Sequence, residues 1–321
     1  MLKSRLCIAF FAFAVGCAPA QKPLTDYVNP MLGTATLWDS VDLGFKPTKR
    51  TWGAEVFPGS SLPNAMVQVS PVTKFHSGAG YQYEDSVIYG FTHTNKGHWN
   101  LCHIPLLPVT GTPTPGDYCS PFSHERESAA PGYYQVFLDR YGVDAQLSST
   151  LRCAFHKYTY PAGAAASLLA DLQRSNEHVR AWDIRKEGDN VFAGWQQTGE
   201  KMYFYAVANR PVTGIEPVVE GDREVRIVRF GEGDGALELR IGFSFVSEKN
   251  ARENLEAEML GKSFAEVRSE ATATWNDLLG RIRVEGGTER EKGLFYSSLY
   301  RSFLWPALRL SLIHISEPTR H

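Results

Sequence analysis

Tyr133 to Tyr160 reads YYQVFLDRYGVDAQLSSTLRCAFHKYTY. Apolar and polar residues alternate through Val143–Ser149, and aromatic or β-branched side chains fill the flanking runs. This is the period of a strand with one face inward. Asp139 to Gly142 and Thr150 to Arg152 interrupt the pattern as turns do. Three strands at hairpin spacing follow from this stretch: Tyr133–Leu138, Val143–Ser149 and Cys153–Tyr160. The same texture continues with Ala166–Asp171, Val179–Glu187, Asn190–Gln197, Met202–Ala208, Gly214–Val219, Glu224–Arg229 and Leu237–Phe245. No helical period separates them, so the sequence predicts a mainly β fold, a large antiparallel β-sandwich. Gly231 to Gly235 reads as a hairpin turn. No helix follows these glycines, which excludes a phosphate cradle.

Upstream, Met66–Pro71, Ser86–Phe91 and Ile104–Val109 are further strand candidates. Between the last two lies a polar loop. It carries His93, Asn95, His98, Trp99, Asn100 and His103 within eleven residues. Imidazoles, amides and a ring on a loop between rigid strands can grip a polar ligand such as a sugar. The plain alternative is a solvated hairpin loop over a packed Trp. The histidines recur every five residues, a spacing that puts them on no common face of a strand or helix, so no metal site is assigned. Trp195 is a further candidate sugar platform on a strand. The acidic pairs Glu84/Asp85 and Glu125/Glu127 flank turns and read as solvated surface.

The texture changes at Ser247. A helical segment opens there and Gly261 stops it. Ser263 caps a second helix, with Glu266 three residues on as a capping box. Phe264, Val267, Ala271, Trp275 and Leu278 mark its buried stripe. A short strand at Ile282–Val284 is predicted next. A third helix starts near Thr288, with Leu294, Phe295, Leu299 and Phe303 as its apolar side, and Pro306 closes or kinks it.

The 321-residue chain is 43% hydrophobic and 21% charged, with a formal net charge of −2. That excludes general disorder, and the near-neutral balance gives no support for a nucleic-acid partner. Residues 1–20 read as a secretory leader, with Lys3 and Arg5 ahead of the apolar run Leu6–Val15. Two processing sites remain open. Ala18-Pro19-Ala20 fits cleavage before Gln21, and Ala14-Val15-Gly16-Cys17 looks like a lipobox that lipidates Cys17. The protein is therefore expected to be exported, to the periplasm or to the outer membrane as a lipoprotein, with membrane contact only through that lipid. The last eleven residues, 311–321, resemble translated sequencing adapter and suggest a chain cut short near Leu310.

Several motifs occur together. They are Tyr27-Val28-Asn29-Pro30 with Gly33-Thr34, Phe57-Pro58-Gly59, Met66 to Pro71, Gly80-Tyr81-Gln82-Tyr83, Ile88 to Thr94 and Ser120 to Glu125. Later come Asn250 to Leu255 and Phe295 to Tyr300. In this order they resemble glycoside hydrolase family 92, over essentially the whole chain after the leader. The resemblance implies an N-terminal β-sandwich over 21–246, a helical linker over 247–287 and the start of an (α/α)6 catalytic domain over 288–310. It implies a calcium-dependent, inverting exo-α-mannosidase whose acid, base and most calcium ligands lie in the barrel, so no catalytic residue is assigned within this chain and the chain alone is expected to be inactive. Mannose-containing glycans and the remainder of the barrel are the implied partners. By motif position, Phe75 and His76 fall where many members have a Trp-Asp pair. Trp99, Asn100 and His103 fall where many have a Cys-x-Asp-Tyr-Gly-Asp run. Substrate binding is thereby expected of Phe75, His76, His93, Asn95, Trp99, Asn100, His103 and Trp195. A stand-alone carbohydrate-binding sandwich is the alternative reading.

Overall fold

The computed structural model describes residues 22–36, 44–46, 56–96 and 99–308, without the side chains of 95, 96 and 99. The leader with Cys17, residue His98 and the 311–321 tail lie outside the described residues, as do the side chains of Asn95 and Trp99.

Two antiparallel sheets face each other. One has eight strands in the order Ala181–Lys186, Val191–Gln197, Lys201–Ala208, Leu237–Ser244, Cys153–Thr159, Val143–Ser149, Tyr133–Leu138, Glu127–Ala130. The other has seven, ordered Ser60–Ser61, Gln68–Val72, Gly90–Thr92, Leu106–Val109, Ser167–Ala170, Arg223–Phe230, Val212–Glu220. The sandwich is thus the architecture that the alternation dictates. Val143, Ala145 and Leu147 point into the space between the sheets, where they meet Val69, Phe91, Leu168 and Ile227. Every second residue goes to that core, and burying each large apolar side chain there contributes about 1.5–3 kcal/mol before entropy is subtracted.

One predicted turn differs. Gly231 to Gly235 joins Arg223–Phe230 to Leu237–Ser244, and these strands belong to different sheets. It is a crossing between layers, not a hairpin. Arg210 donates from Nη2 to the Gly235 carbonyl at 2.5 Å and ties that crossing down.

Three helices cover the eight-stranded sheet and its end: α1 (Glu248–Glu258), α2 (Phe264–Leu279) and α3 (Glu289–Ser302). Their starts are where the capping residues place them. Ser247 accepts from Asn250 N, and both Ser263/Glu266 and Thr288/Glu291 close reciprocal capping boxes. Leu255, Met259, Phe264 and Val267 pack on Tyr133, Cys153 and Phe155, on the sheet face away from the main core. The close approach leaves no room for a side chain at Gly242, where a Cβ would sit 2.1 Å from the Ala251 carbonyl oxygen.

Three helical expectations need correction. Leu279, not Leu278, completes the buried stripe of α2. Ile282–Val284 is not a strand. α3 buries Tyr296, Ser297 and Tyr300, leaving Leu294 and Phe295 exposed. The reason is the amino-terminal segment. Leu24 and Val28 pack with Trp275, Leu279, Tyr296 and Tyr300, and the Tyr27 ring lies 5.5 Å from Tyr296. Lys22 pairs with Glu289, Thr25 N donates to Asn276 Oδ1, and Asn29 N donates to Ser297 Oγ. Farther on, Tyr83 N donates to the Thr34 carbonyl, on the sandwich. Residues 22–34 thus strap the helices to the sandwich, and the strap selects the face α3 turns inward.

Candidate functional site

The seven- and eight-stranded sheets are linked by the run Asp171 to Arg180, DLQRSNEHVR, between Ser167–Ala170 and Ala181–Lys186. Its polar side chains have no sheet to join, so they divide between bonding inward and facing solvent. Asn176 does the first. Its Nδ2 donates to the Asn100 carbonyl at 2.5 Å, and its Oδ1 accepts from His76 N at 2.6 Å. His76 Nδ1 donates to the Asn176 carbonyl at 3.2 Å. Ser175 Oγ donates to the Leu101 carbonyl at 2.6 Å. These bonds fix the loop carrying His76, which holds a left-handed φ of 59°, against this run. Such a conformation is uncommon for a non-glycine residue and persists where surrounding bonds hold it.

The outward side chains line a cleft of 730 Å³ formed by His76, Gln173, Arg174, Glu177, His178, Arg180, Trp182, Asp222 and Arg223, with Ser175 and Val179 of the same run and Ala181. Behind it stands Asp171, fully buried, accepting at Oδ2 from Tyr118 OH at 2.6 Å and from Arg223 Nη2 at 2.9 Å. Burial pushes its carboxyl above the usual range, while Tyr118, Arg223 and Arg174 oppose the rise. The Arg174 guanidinium lies 5.4 Å from the Phe75 and Tyr89 ring centroids and 5.8 Å from that of Tyr118. Cation–π contact with three rings and a carboxylate 3.7 Å away pre-set its direction.

The residues singled out from sequence separate sharply. His76 is exposed and lines the cleft. Phe75 is half-buried, edge-on to Tyr89 at 6.0 Å with the Arg174 guanidinium 5.4 Å from its ring, and does not line the cleft.

His93 is a core residue instead of a pocket hydrogen-bonder. It is fully buried, with Nε2 3.0 Å from His156 Nε2 and its ring 4.5 Å from Phe243. Burial pushes its imidazole down to about 3, against weaker support from backbone bonds at His103 and Ile104. His156 is lowered too, by burial first and then by His93.

His103 is likewise enclosed, 2.8 Å from Thr94 Oγ1 and 2.9 Å from Thr198 Oγ1, and Thr198 donates onward to Glu177 Oε2 at 2.7 Å. Asn100 is buried, and its Oδ1 accepts from Cys102 N at 2.8 Å. These two side chains support the cleft from below without lining it. Asn95-Lys96 and Trp99-Asn100 pair as a short hairpin, with Asn95 opposite Asn100. Trp195 lies on the eight-stranded sheet, half-buried, with Lys201 Nζ 3.5 Å above its ring, and lines none of the described clefts.

Sequence reasoning missed Arg174, Glu177, His178, Arg180, Asp222 and Arg223. The available signal was the charged break in alternation from Gln173 to Arg180. Glu127 also departs from expectation. It is not solvated: its side chain is 1% exposed. It accepts from Tyr81 OH at 3.0 Å, from Tyr134 OH at 2.5 Å and from His124 Nδ1 at 2.5 Å. Burial, then Glu127 itself, pushes both tyrosine hydroxyls up. His124 in turn stacks on Tyr83 at 3.9 Å, at the mouth of a 450 Å³ cleft under the strap residues Asn29 to Ala35.

Among the described residues no three His, Cys, Asp or Glu side chains converge as a metal set.

The glycosyl hydrolase family 92 N-terminal domain matches residues 27–254, and the catalytic domain of the same family matches residues 250–311. A family GH92 alpha-mannosidase from Bacteroides thetaiotaomicron superposes with a TM-score of 0.80 at 26% identity, over 91% of this chain and 42% of its own. An inverting family GH92 mannosidase from the same organism gives 0.75 at 25%, over 89% of this chain and 40% of its own. An uncharacterized secreted glycosidase from Arthroderma benhamiae is 24% identical, over 87% of this chain and 41% of its own length. This chain thus spans less than half the length of each of these relatives. With its N-terminal domain matched over most of the sandwich and the catalytic-domain match beginning at α1, the chain belongs to glycosyl hydrolase family 92.

Proposed function

We propose that the chain is the sugar-gripping, amino-terminal half of an exported, calcium-dependent, inverting exo-α-mannosidase acting on mannose caps of N-glycans or mannan. The observation that carries this reading is the succession of the two family 92 domains, 27–254 and then 250–311, in one chain. The solved relatives named as mannosidases support the substrate class, and the fungal relative named as secreted supports export.

Inverting hydrolysis needs one carboxylic acid for the leaving oxygen and one carboxylate to activate water, roughly 6.5–9.5 Å apart. Both, and most of the calcium ligands, are assigned to barrel residues beyond those described. The role of this half is then to bind and orient. Arg174, Glu177 and His76 present donors and acceptors to sugar hydroxyls from a loop that Asn176 and Asn100 hold rigid, which lowers the entropy that ordering the sugar costs.

The test begins with the genomic DNA beyond codon 310. An open reading frame encoding further helices is expected. The longer chain should release β-mannose from α-1,2-mannobiose, lose that activity in a chelator and regain it with calcium. The 321-residue chain alone should release none. An authentic stop codon, with mannose binding and no hydrolysis, would replace the enzyme reading with a stand-alone binding module.

A further inference from the structure

The cleft of the Asp171–Arg180 run is built from charged groups, whereas a neutral sugar is usually gripped by open aromatic faces and amides. Three guanidiniums line it: Arg174, Arg180 and Arg223. Two of them share a hidden anchor. Asp171 is fully buried, takes Arg223 at 2.9 Å and Arg174 at 3.7 Å, and among the described residues its other carboxylate oxygen has no hydrogen-bond partner. A buried carboxylate with one oxygen unpaired costs stability, and its evident product is the shared orientation of two arginines.

Arg174 is left with open donors. Apart from the distant Asp171 it makes one long hydrogen bond, Nη1 to Tyr118 OH at 3.4 Å, and its side chain is one-third exposed. Arg180 is exposed on the same wall, beside His178 and across from His76. Two carboxylates compete for these cations. Glu177 is engaged by Thr198, while Asp222 is exposed on the turn at Gly221.

From this geometry we infer that the cleft binds an oxyanion carried by a glycan, a phosphate or carboxylate substituent, with Arg174 and Arg180 as its donors. The inference rests on the reading that this face meets a sugar. It narrows the substrate class to acidic glycans. A planar guanidinium held by a buried acid meets an oxyanion through paired N–H bonds, which a neutral hydroxyl cannot match.

Calorimetric titration of the 321-residue chain with mannose, mannose 6-phosphate, mannuronate and inorganic phosphate tests this. At least one acidic sugar should bind roughly ten-fold more tightly than mannose, the worth of one charge-assisted bond over a neutral one, and that margin should shrink with salt. Which acidic sugar wins identifies the substituent. Arg180→Gln, at an exposed side chain, should erase most of the preference without touching the core. Arg174→Met should erase the rest, and Asp222→Asn should strengthen acidic binding a few-fold. Equal binding of mannose and both acidic sugars overturns the inference and leaves the sugar reading standing. Phosphate binding without any sugar binding keeps the anion site and removes the sugar reading. No binding of any of the four overturns both, and an acidic preference unchanged in Arg180→Gln and Arg174→Met overturns the assignment of these residues.

Discussion

Two polar stretches join strands in this sandwich, and they spend their side chains differently. The 93–103 segment carries the denser set of ligand-type residues, yet His93, Asn100 and His103 are all buried. The 171–180 run has fewer obvious binders, yet it builds the wall of a 730 Å³ cleft. Density of imidazole and amide is therefore no index of a site. What separates the stretches is partner supply. In the first, His93 and His103 are fully enclosed, and His156, Thr94 and Thr198 meet their rings. The 171–180 run crosses from one sheet to the other at the rim, where Arg174 keeps one-third of its side chain exposed beside Asp171 and Tyr118, and Arg180 is exposed.

The comparison breaks first under acid. His93 and His156 are held neutral in the core, so the unfolded chain binds more protons below its ordinary imidazole value. Stability is full above pH 6.5 and falls as pH drops toward about 3. The slope is about 1.4 kcal/mol per pH unit for one histidine, and His156 adds in the same direction. Urea midpoints at pH 7 and pH 5 measure it, and His93→Leu should flatten the dependence. An unchanged dependence in that variant would place the acid sensitivity elsewhere.

Next in size is His103→Ala. It removes a buried ring and its bonds to the Thr94 and Thr198 hydroxyls, at a cost of about 3 kcal/mol. Loss of the Thr198 bond should also loosen Glu177 at the cleft. A destabilisation under about 1 kcal/mol would show His103 to be a surface binder after all.

The smallest effect belongs to the rim. Arg180→Gln should change unfolding stability by less than about 0.5 kcal/mol, because its exposed side chain supports nothing in the fold. A larger loss would mean the cleft is structural.

Much of the fold was legible because it depends on local rules. Alternation placed Val143–Ser149 as observed and Lys201–Ala208 to within one residue, while the Ser263/Glu266 box and Thr288 marked two helix starts. What escaped depends on neighbours distant in sequence. The face of α3 is chosen by Tyr27 and Val28, some 270 residues earlier in the chain, which periodicity within α3 cannot reveal. Glu127 looks like a surface acid until Tyr81 and Tyr134 close over it. The glycine-rich turn at 231–235 resembles a hairpin because sequence does not say which sheet each flanking strand joins. Among the expected binders whose side chains are described, only His76 lines the cleft, since its loop folds back onto Asn176.

The most direct test of this contrast is an amide chemical-shift map of the isotope-labelled chain during titration with a mannose disaccharide and its phosphorylated form. The account predicts shifts at His76, Arg174 to Trp182 and Asp222–Arg223, with His93 and His103 unmoved. Shifts centred on His93 to His103, with the 174–182 amides silent, would contradict it.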